Sequence, residues 1–401
     1  MYRDSYGFEL SCGSDEARDA YAAGMAAAMS FDRSGIPELE AAVEADPDFA
    51  MAQALLARQR MIYGRADEMG GPIAAASNGL ERCTARERSA LTVMLGALNG
   101  QPDVVGVALE HVRTYPGDAM VLMHVVGPFG LLAFSGDRQW QAKNAALMVD
   151  VKDHFPADDW WITAIAAFNA GEVGQCAAAL RLAERAWQLE QNGHTAHAMA
   201  HVQIEAQAFR EGATFLDAWL EVNAQSSDLG HHLVWHRALL TLETDGAEGL
   251  LDQAEARFAN TNGSAPPIDL LADKVSLFWR LVLLNVDVPD THWQRAIGVA
   301  SEYFRDAGFA FADVHRALLS PKLEMSQRTA QLEALETGSV AFLPAIADAA
   351  TAFANSDFAA AAALLEPVLD EMIQVGGSNP QRAIVRLIYE EAVRRANPRV
   401  N

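Results

Sequence analysis

Cysteine is nearly absent from this 401-residue sequence, and Cys12, Cys83 and Cys176 are far apart in it. An odd number with no Cys-x-x-Cys spacing excludes a disulfide framework and a thiolate zinc site. Runs of valine, isoleucine and threonine are scarce and no hairpin signal appears, so strands are not expected. Basic residues are in deficit, 30 against 53 acidic, for a formal net charge of −23. A nucleic-acid surface needs clustered Lys and Arg to displace counterions, so DNA and RNA are excluded as partners. The same field repels an anionic membrane surface. The most apolar stretch, Ala119 to Phe134, is too short to span a bilayer and is interrupted by His124, Gly127, Pro128 and Gly130. It reads as buried helix. No apolar segment of the signal-peptide kind follows Met1 to Ser5, and a cytoplasmic location is expected. There is no phosphate-cradling glycine loop and no nucleophile elbow, which argues against nucleotide use and serine-hydrolase chemistry.

What is present favours helices. Hydrophobic residues make up 51% and charged residues 21%, and alanine, which loses no side-chain entropy in a helix, dominates. Ser14, with Glu16 in the first turn, opens a helix that runs to about Ser30. Pro37 then starts a short amphipathic helix, Asp46-Pro47-Asp48 turns the chain, and Phe49 to Tyr63 returns it, with Gly64 as the stop. A small-residue helix, an Asp-Pro turn and a second helix beginning with an aromatic is how tetratricopeptide units read. Thr84 to Glu87 has the form of a capping box. Further pairs follow at Asp103 to Arg113 with Ala119 onward, Trp160 to Asn169 with Cys176 to Gln191, and Ala359 to Gln374 with Pro380 to Ala396. The fold expected is all-α: one tetratricopeptide-like solenoid over residues 1–401, closed or strongly curved, with 260–267 as a long inter-helix loop.

Six of the eleven histidines fall between His194 and His236. His194, His197 and His201 share a helix face, and the next helix but one carries His232 and His236 four residues apart, with His231 beside them. Two imidazoles at i and i+4 can converge on one ion, and His197, His201, His232 and His236 are therefore metal-ligand candidates. The usual helical carboxylate companions are missing from the local sequence; Glu205, one turn beyond His201, could supply one. Without a metal, the same four imidazoles could work as general acids and bases, since their pKa lies near working pH. The bland alternative is that histidines on solenoid helices simply satisfy one another's hydrogen bonds. Polar residues also stand at apolar positions elsewhere: Asp273, Ser276 and Arg280 on the helix containing Trp279, and Asp313 and His315 in the run Phe309 to Leu319. Structural salt bridges would account for them, because buried Arg and Asp are costly unless paired.

Asp4-Ser5-Tyr6-Gly7, Ala45-Asp46-Pro47, Arg86-Glu87-Arg88, His197-Ala198-Met199-Ala200-His201-Val202 and His232-Leu233-Val234-Trp235-His236 follow one another along the chain, and then come Ser276 to Leu281, Asp313-Val314-His315 and Gly376 to Arg382. In this order, over nearly the whole chain, they resemble the tetratricopeptide repeat protein 38 family. Ile204 and Leu233 stand where that family usually carries Glu and Asn, so a role needing those groups does not carry over. The resemblance implies a helical repeat fold and no secured reaction or partner. The leading expectation is a pocket that binds a small ligand. His197, His201, His232 and His236 would be its working groups, and His194, Trp235, Trp279, Arg280, Asp313 and His315 its lining. Imidazole acid–base catalysis or hydrolysis assisted by a divalent metal ion is the simplest chemistry. The rivals are a scaffold for a protein partner and a self-associating homo-oligomer.

Overall fold

The computed structural model describes residues 2–261 and 263–397, and twenty-one α-helices lie among them. The chain divides into two compact units. The first comprises Met1–Ser135, Gln139–Gly230 and Thr261–Pro266. Its helices are α1 (Asp15–Met29), α2 (Gly35–Ala45), α3 (Ala50–Ile62), α4 (Gly70–Gly79), α5 (Ala85–Leu98), α6 (Val104–Thr114), α7 (Ala119–Val125), α8 (Trp140–Val151), α9 (Trp160–Glu172), α10 (Cys176–Leu189), α11 (Gly193–Glu205) and α12 (Phe209–Asn223). The second comprises Gly136–Arg138, His231–Asn260 and Pro267–Asn401. It holds α13 (Gly230–Thr244), α14 (Leu250–Ala259), α15 (Pro267–Leu283), α16 (Asp290–Tyr303), α17 (Ala310–Leu318), α18 (Met325–Glu336), α19 (Leu343–Ala354), α20 (Phe358–Leu365) and α21 (Asn379–Ala396). The architecture is an all-α helical repeat. No described helix is long and apolar enough to cross a membrane.

Local chemistry explains most boundaries. The Ser14 hydroxyl accepts from Ala17 N and starts α1. Thr84 and Glu87 form a reciprocal capping box at α5. Gly64 ends the α3 region with φ +75°. Antiparallel neighbours then pack through small residues. A Cβ on Gly24 of α1 would lie 2.6 Å from the Leu39 side chain of α2, so only glycine permits that approach. Helices alternate between two kinds. In α3, Ala50 to Ala57 are all buried, whereas α10 buries only Ala179, Ala183 and Ala186 along one stripe.

Two segments differ from expectation. Tyr2–Arg3 pairs antiparallel with Glu9–Leu10, a two-residue ladder closed by the Asp4 carboxylate, which accepts from Tyr6 N and Phe8 N. α7 stops at Val125 instead of running to residue 134, because Gly127 takes φ +89° and the chain doubles back, Leu131 N donating to His124 O at 2.8 Å. Gly130 makes that reversal feasible, since a Cβ there would lie 2.4 Å from Val125 O. Between α14 and α15, where a long inter-helix loop is expected, Ser264, Ala265 and Pro266 are buried, and Ser264 donates to Asp228. Asn262 lies outside the described residues.

A buried charge network ties the N-terminal turn to α5 and α7. The Arg86 guanidinium bonds Asp118 through Nε (2.6 Å) and Nη2 (2.8 Å), and Asp4 through Nη2 (3.1 Å), while His111 Nε2 lies 2.9 Å from Asp118. Removing the cation strands two buried carboxylates. Arg86→Met is expected to lower unfolding stability by about 3–5 kcal/mol, read from the urea midpoint. A change below about 1 kcal/mol, the value of an exposed pair, would show that Arg86 is not what balances Asp4 and Asp118.

Candidate functional site

In the first unit, α11 begins at a capping box formed by Asn192 and Thr195. That cap fixes the helix phase and sends His197 and His201 to one side. Their Nε2 atoms are 2.8 Å apart, with ring centroids at 4.5 Å and planes at 75°. Phe168 of α9 packs edge-on to His201 at 4.7 Å and backs the pair. His194 does not join them. It stacks on Phe31 (5.2 Å, 7°), and burial pushes its pKa down to about 4. It is a neutral packing residue at physiological pH.

In the second unit, α13 repeats the arrangement. His232 Nε2 and His236 Nε2 are 3.1 Å apart, with centroids at 4.6 Å and planes at 80°. Near-perpendicular rings four residues apart aim both in-plane lone pairs at one point. Such a separation suits two uses: an N–H···N bond sharing a proton, or chelation of one ion, for which nitrogens at roughly 2.0–2.1 Å from the metal stand about 3.3 Å apart in a tetrahedron. His231, the neighbour, stacks instead on Phe258 (4.3 Å, 30°), and burial brings its pKa to about 3.

The carboxylate missing from the local sequence comes from α15. Both oxygens of Asp273 lie 3.0 Å from His232 Nδ1, and Asp273 is fully buried. The Nδ1–H therefore donates to the carboxylate, and in the neutral ring Nε2 is left as a lone pair facing His236. A carboxylate on the far nitrogen fixes tautomer and ring orientation and raises ligand basicity, as in many metal-binding histidines. Burial alone would lower the His232 pKa, but Asp273 and Asp269 outweigh it and the net shift is upward. Asp269, one turn before Asp273, is pushed up to about 7 by burial and by the Asp273 charge, against the opposing effect of His232. It sits where a proton can be held or released near neutral pH. His232, Asp269 and Asp273 each place a donor atom within 4.8 Å of the others, so the group could hold a metal ion.

The remaining expected residues separate by what they touch. Trp235 stacks on His232 (5.3 Å, 20°) and meets His236 edge-on (4.8 Å, 64°). Arg280 lies over its indole, with Cζ 5.9 Å from the ring centroid. The Trp279 indole donates to Leu318 O at 2.9 Å and packs on Trp293 and Phe353, a core role. Asp313 bonds Arg316 (2.8 Å) and accepts from Gly308 N (2.8 Å), the structural ion pair its buried position called for. His315 donates through Nδ1 to Phe311 O at 2.8 Å. The expected salt bridge for Asp273 and Arg280 takes another form: seven residues along a helix is a rise of about 10 Å, and Asp273 binds a histidine instead. Asp269 was not singled out by sequence, although Asp269 and Asp273 at i and i+4 on an apolar helix mirror the spacing of His232 and His236.

No protein-family model matches the chain. Among solved structures, the tetratricopeptide repeat domain of P58(IPK) is similar at 11% identity, covering 96% of this chain and 99% of that one, with a TM-score of 0.20. So loose a superposition carries no argument about fold or function, and the helix pairs described above stand on their own geometry.

Proposed function

We propose that the protein binds a divalent metal ion through its paired histidines and acts on a small-molecule ligand there, hydrolysis being the simplest reaction. The observation that carries this reading is the His232–His236 pair, with Nε2 atoms 3.1 Å apart and the far nitrogen of His232 held by Asp273. A bound ion would polarise an oxygen of the ligand or lower the pKa of a water. Asp269, with an oxygen within 4.8 Å of donor atoms of His232 and Asp273, is the neighbouring carboxyl suited to pass a proton. His197 and His201 repeat the pair geometry in the first unit, a second two-nitrogen set of the same kind.

A plain protein-binding scaffold is the rival reading, and it predicts no saturable metal uptake at these imidazoles. The test is calorimetric titration of chelator-treated protein with zinc. Saturable binding is expected, abolished in His236→Ala. Binding no stronger than that of the His201→Ala/His236→Ala double variant would end the metal reading.

A further inference from the structure

Arg280 is only 8% exposed. A guanidinium at that depth normally faces a carboxylate, because an uncompensated buried charge is costly. Here Nη1 donates to the carbonyl (3.2 Å) and hydroxyl of Ser276, and Nη2 to the Pro380 carbonyl (2.7 Å). All three acceptors are neutral. Glu243, an exposed acid of α13, acts on it only through its field. Burial draws the Arg280 pKa down to about 10, so the cation persists at neutral pH.

The side chains around it repeat the imbalance. The Trp235 indole, under Arg280, is fully buried, and its N–H meets no protein acceptor. Gln381 follows Pro380, whose carbonyl holds Arg280; its side-chain oxygen accepts from Ser378, and its buried NH2 has no acceptor. A fixed cation and two buried donors without acceptors call for an anionic oxygen cluster. His315, close enough for the Arg280 charge to lower its pKa further after burial, keeps Nδ1 on Phe311 O and leaves Nε2 without a protein partner. In the neutral ring that nitrogen accepts, so it complements an O–H on the same ligand.

We propose that Arg280, Trp235 and Gln381 form an oxyanion site, and that the small molecule handled at His232 and His236 carries a carboxylate or phosphate group bound there. The inference rests on reading the histidine centre as the working site, and Trp235 is the link, since its indole touches Arg280, His232 and His236. Orientation follows from it: anchoring the anionic end at Arg280 presents the rest of the molecule to the imidazoles.

The test uses full-length protein stripped of metal with a chelator, so that an anion cannot bind through an ion. Inorganic phosphate and acetate are titrated calorimetrically, each also followed by thermal stabilisation. Saturable binding of one or both is expected, and which one binds names the anion. Arg280→Met should weaken it by about tenfold or more and Trp235→Phe, which leaves a smaller aromatic ring and deletes the N–H, by about fivefold. Should Arg280→Met fail to fold, Trp235→Phe and Arg280→Lys carry the test. No binding of either anion to the wild type, or binding unchanged in Trp235→Phe and in the folded Arg280 variants, would overturn the site. Anion binding by a protein that takes up no zinc supports the oxyanion site while removing the metal; zinc uptake without anion binding does the reverse.

Discussion

Replacing Asp273 by alanine should cost about 3–5 kcal/mol of unfolding free energy and weaken zinc binding by about ten- to a hundredfold. Both effects have one origin. Asp273 is fully buried and bonds His232 Nδ1 through both oxygens, so its loss strands an imidazole whose charge it stabilised. The same loss frees the ring to adopt the other tautomer, with Nε2 protonated and useless as a donor to an ion. Asp273→Asn separates the two contributions. It preserves volume and one acceptor, so it should recover much of the stability while zinc affinity stays low. Urea unfolding and zinc calorimetry on the two variants check this, and wild-type zinc affinity in Asp273→Asn would break the link between the carboxylate and the histidine pair.

Acid should unfold the protein steeply between about pH 6 and 4, through histidines that are buried neutral. Burial holds His194 and His315 at about 4 and His231 at about 3, against an ordinary value of 6.5. Between the ordinary and folded values, the unfolded chain binds protons that the folded chain refuses. Their stabilisation is therefore complete above pH 6.5 and lost as pH falls towards 4. At 1.36 kcal/mol per unit, His194 and His315 each account for roughly 3 kcal/mol and His231 for somewhat more. Asp269 acts in the opposite sense: its raised pKa of about 7 makes the fold gain roughly 4 kcal/mol as pH falls from 7 to 4. His232, with its pKa raised, also favours the fold at low pH. The three histidines together exceed the Asp269 contribution, and His124, lowered well below 6.5, adds to their side. Urea midpoints measured from pH 7.5 to 4 should fall. His194→Phe, which keeps the stack on Phe31, should flatten the slope; a slope unchanged by it would mean that His194 is not buried neutral.

The parts of this structure legible in the sequence are those decided within a few residues. Ser14 and the Thr84–Glu87 box cap their own helices, so α1 and α5 were readable at their starts. The histidine pairs were readable because four residues on a helix is a fixed geometry. What needed distant partners was not. Asp273 stands forty-one positions from the histidine it holds, and nothing local distinguishes it from an ion-pair acid. His194 and His231 share the helices of the pairs yet pack against Phe31 and Phe258, from helices or turns that spacing cannot place. The end of α7 at Val125 was written in Gly127-Pro128, but an apolar run of that length masked it.

We propose that the perpendicular imidazoles of His232 and His236 chelate an ion, beyond sharing a proton. Anomalous diffraction at the zinc edge, from crystals grown with zinc, decides between the two. A peak is expected about 2.0–2.1 Å from both Nε2 atoms, on the side away from Asp273. A zinc-loaded crystal with no peak there, and the two nitrogens still in hydrogen-bond contact, would refute chelation.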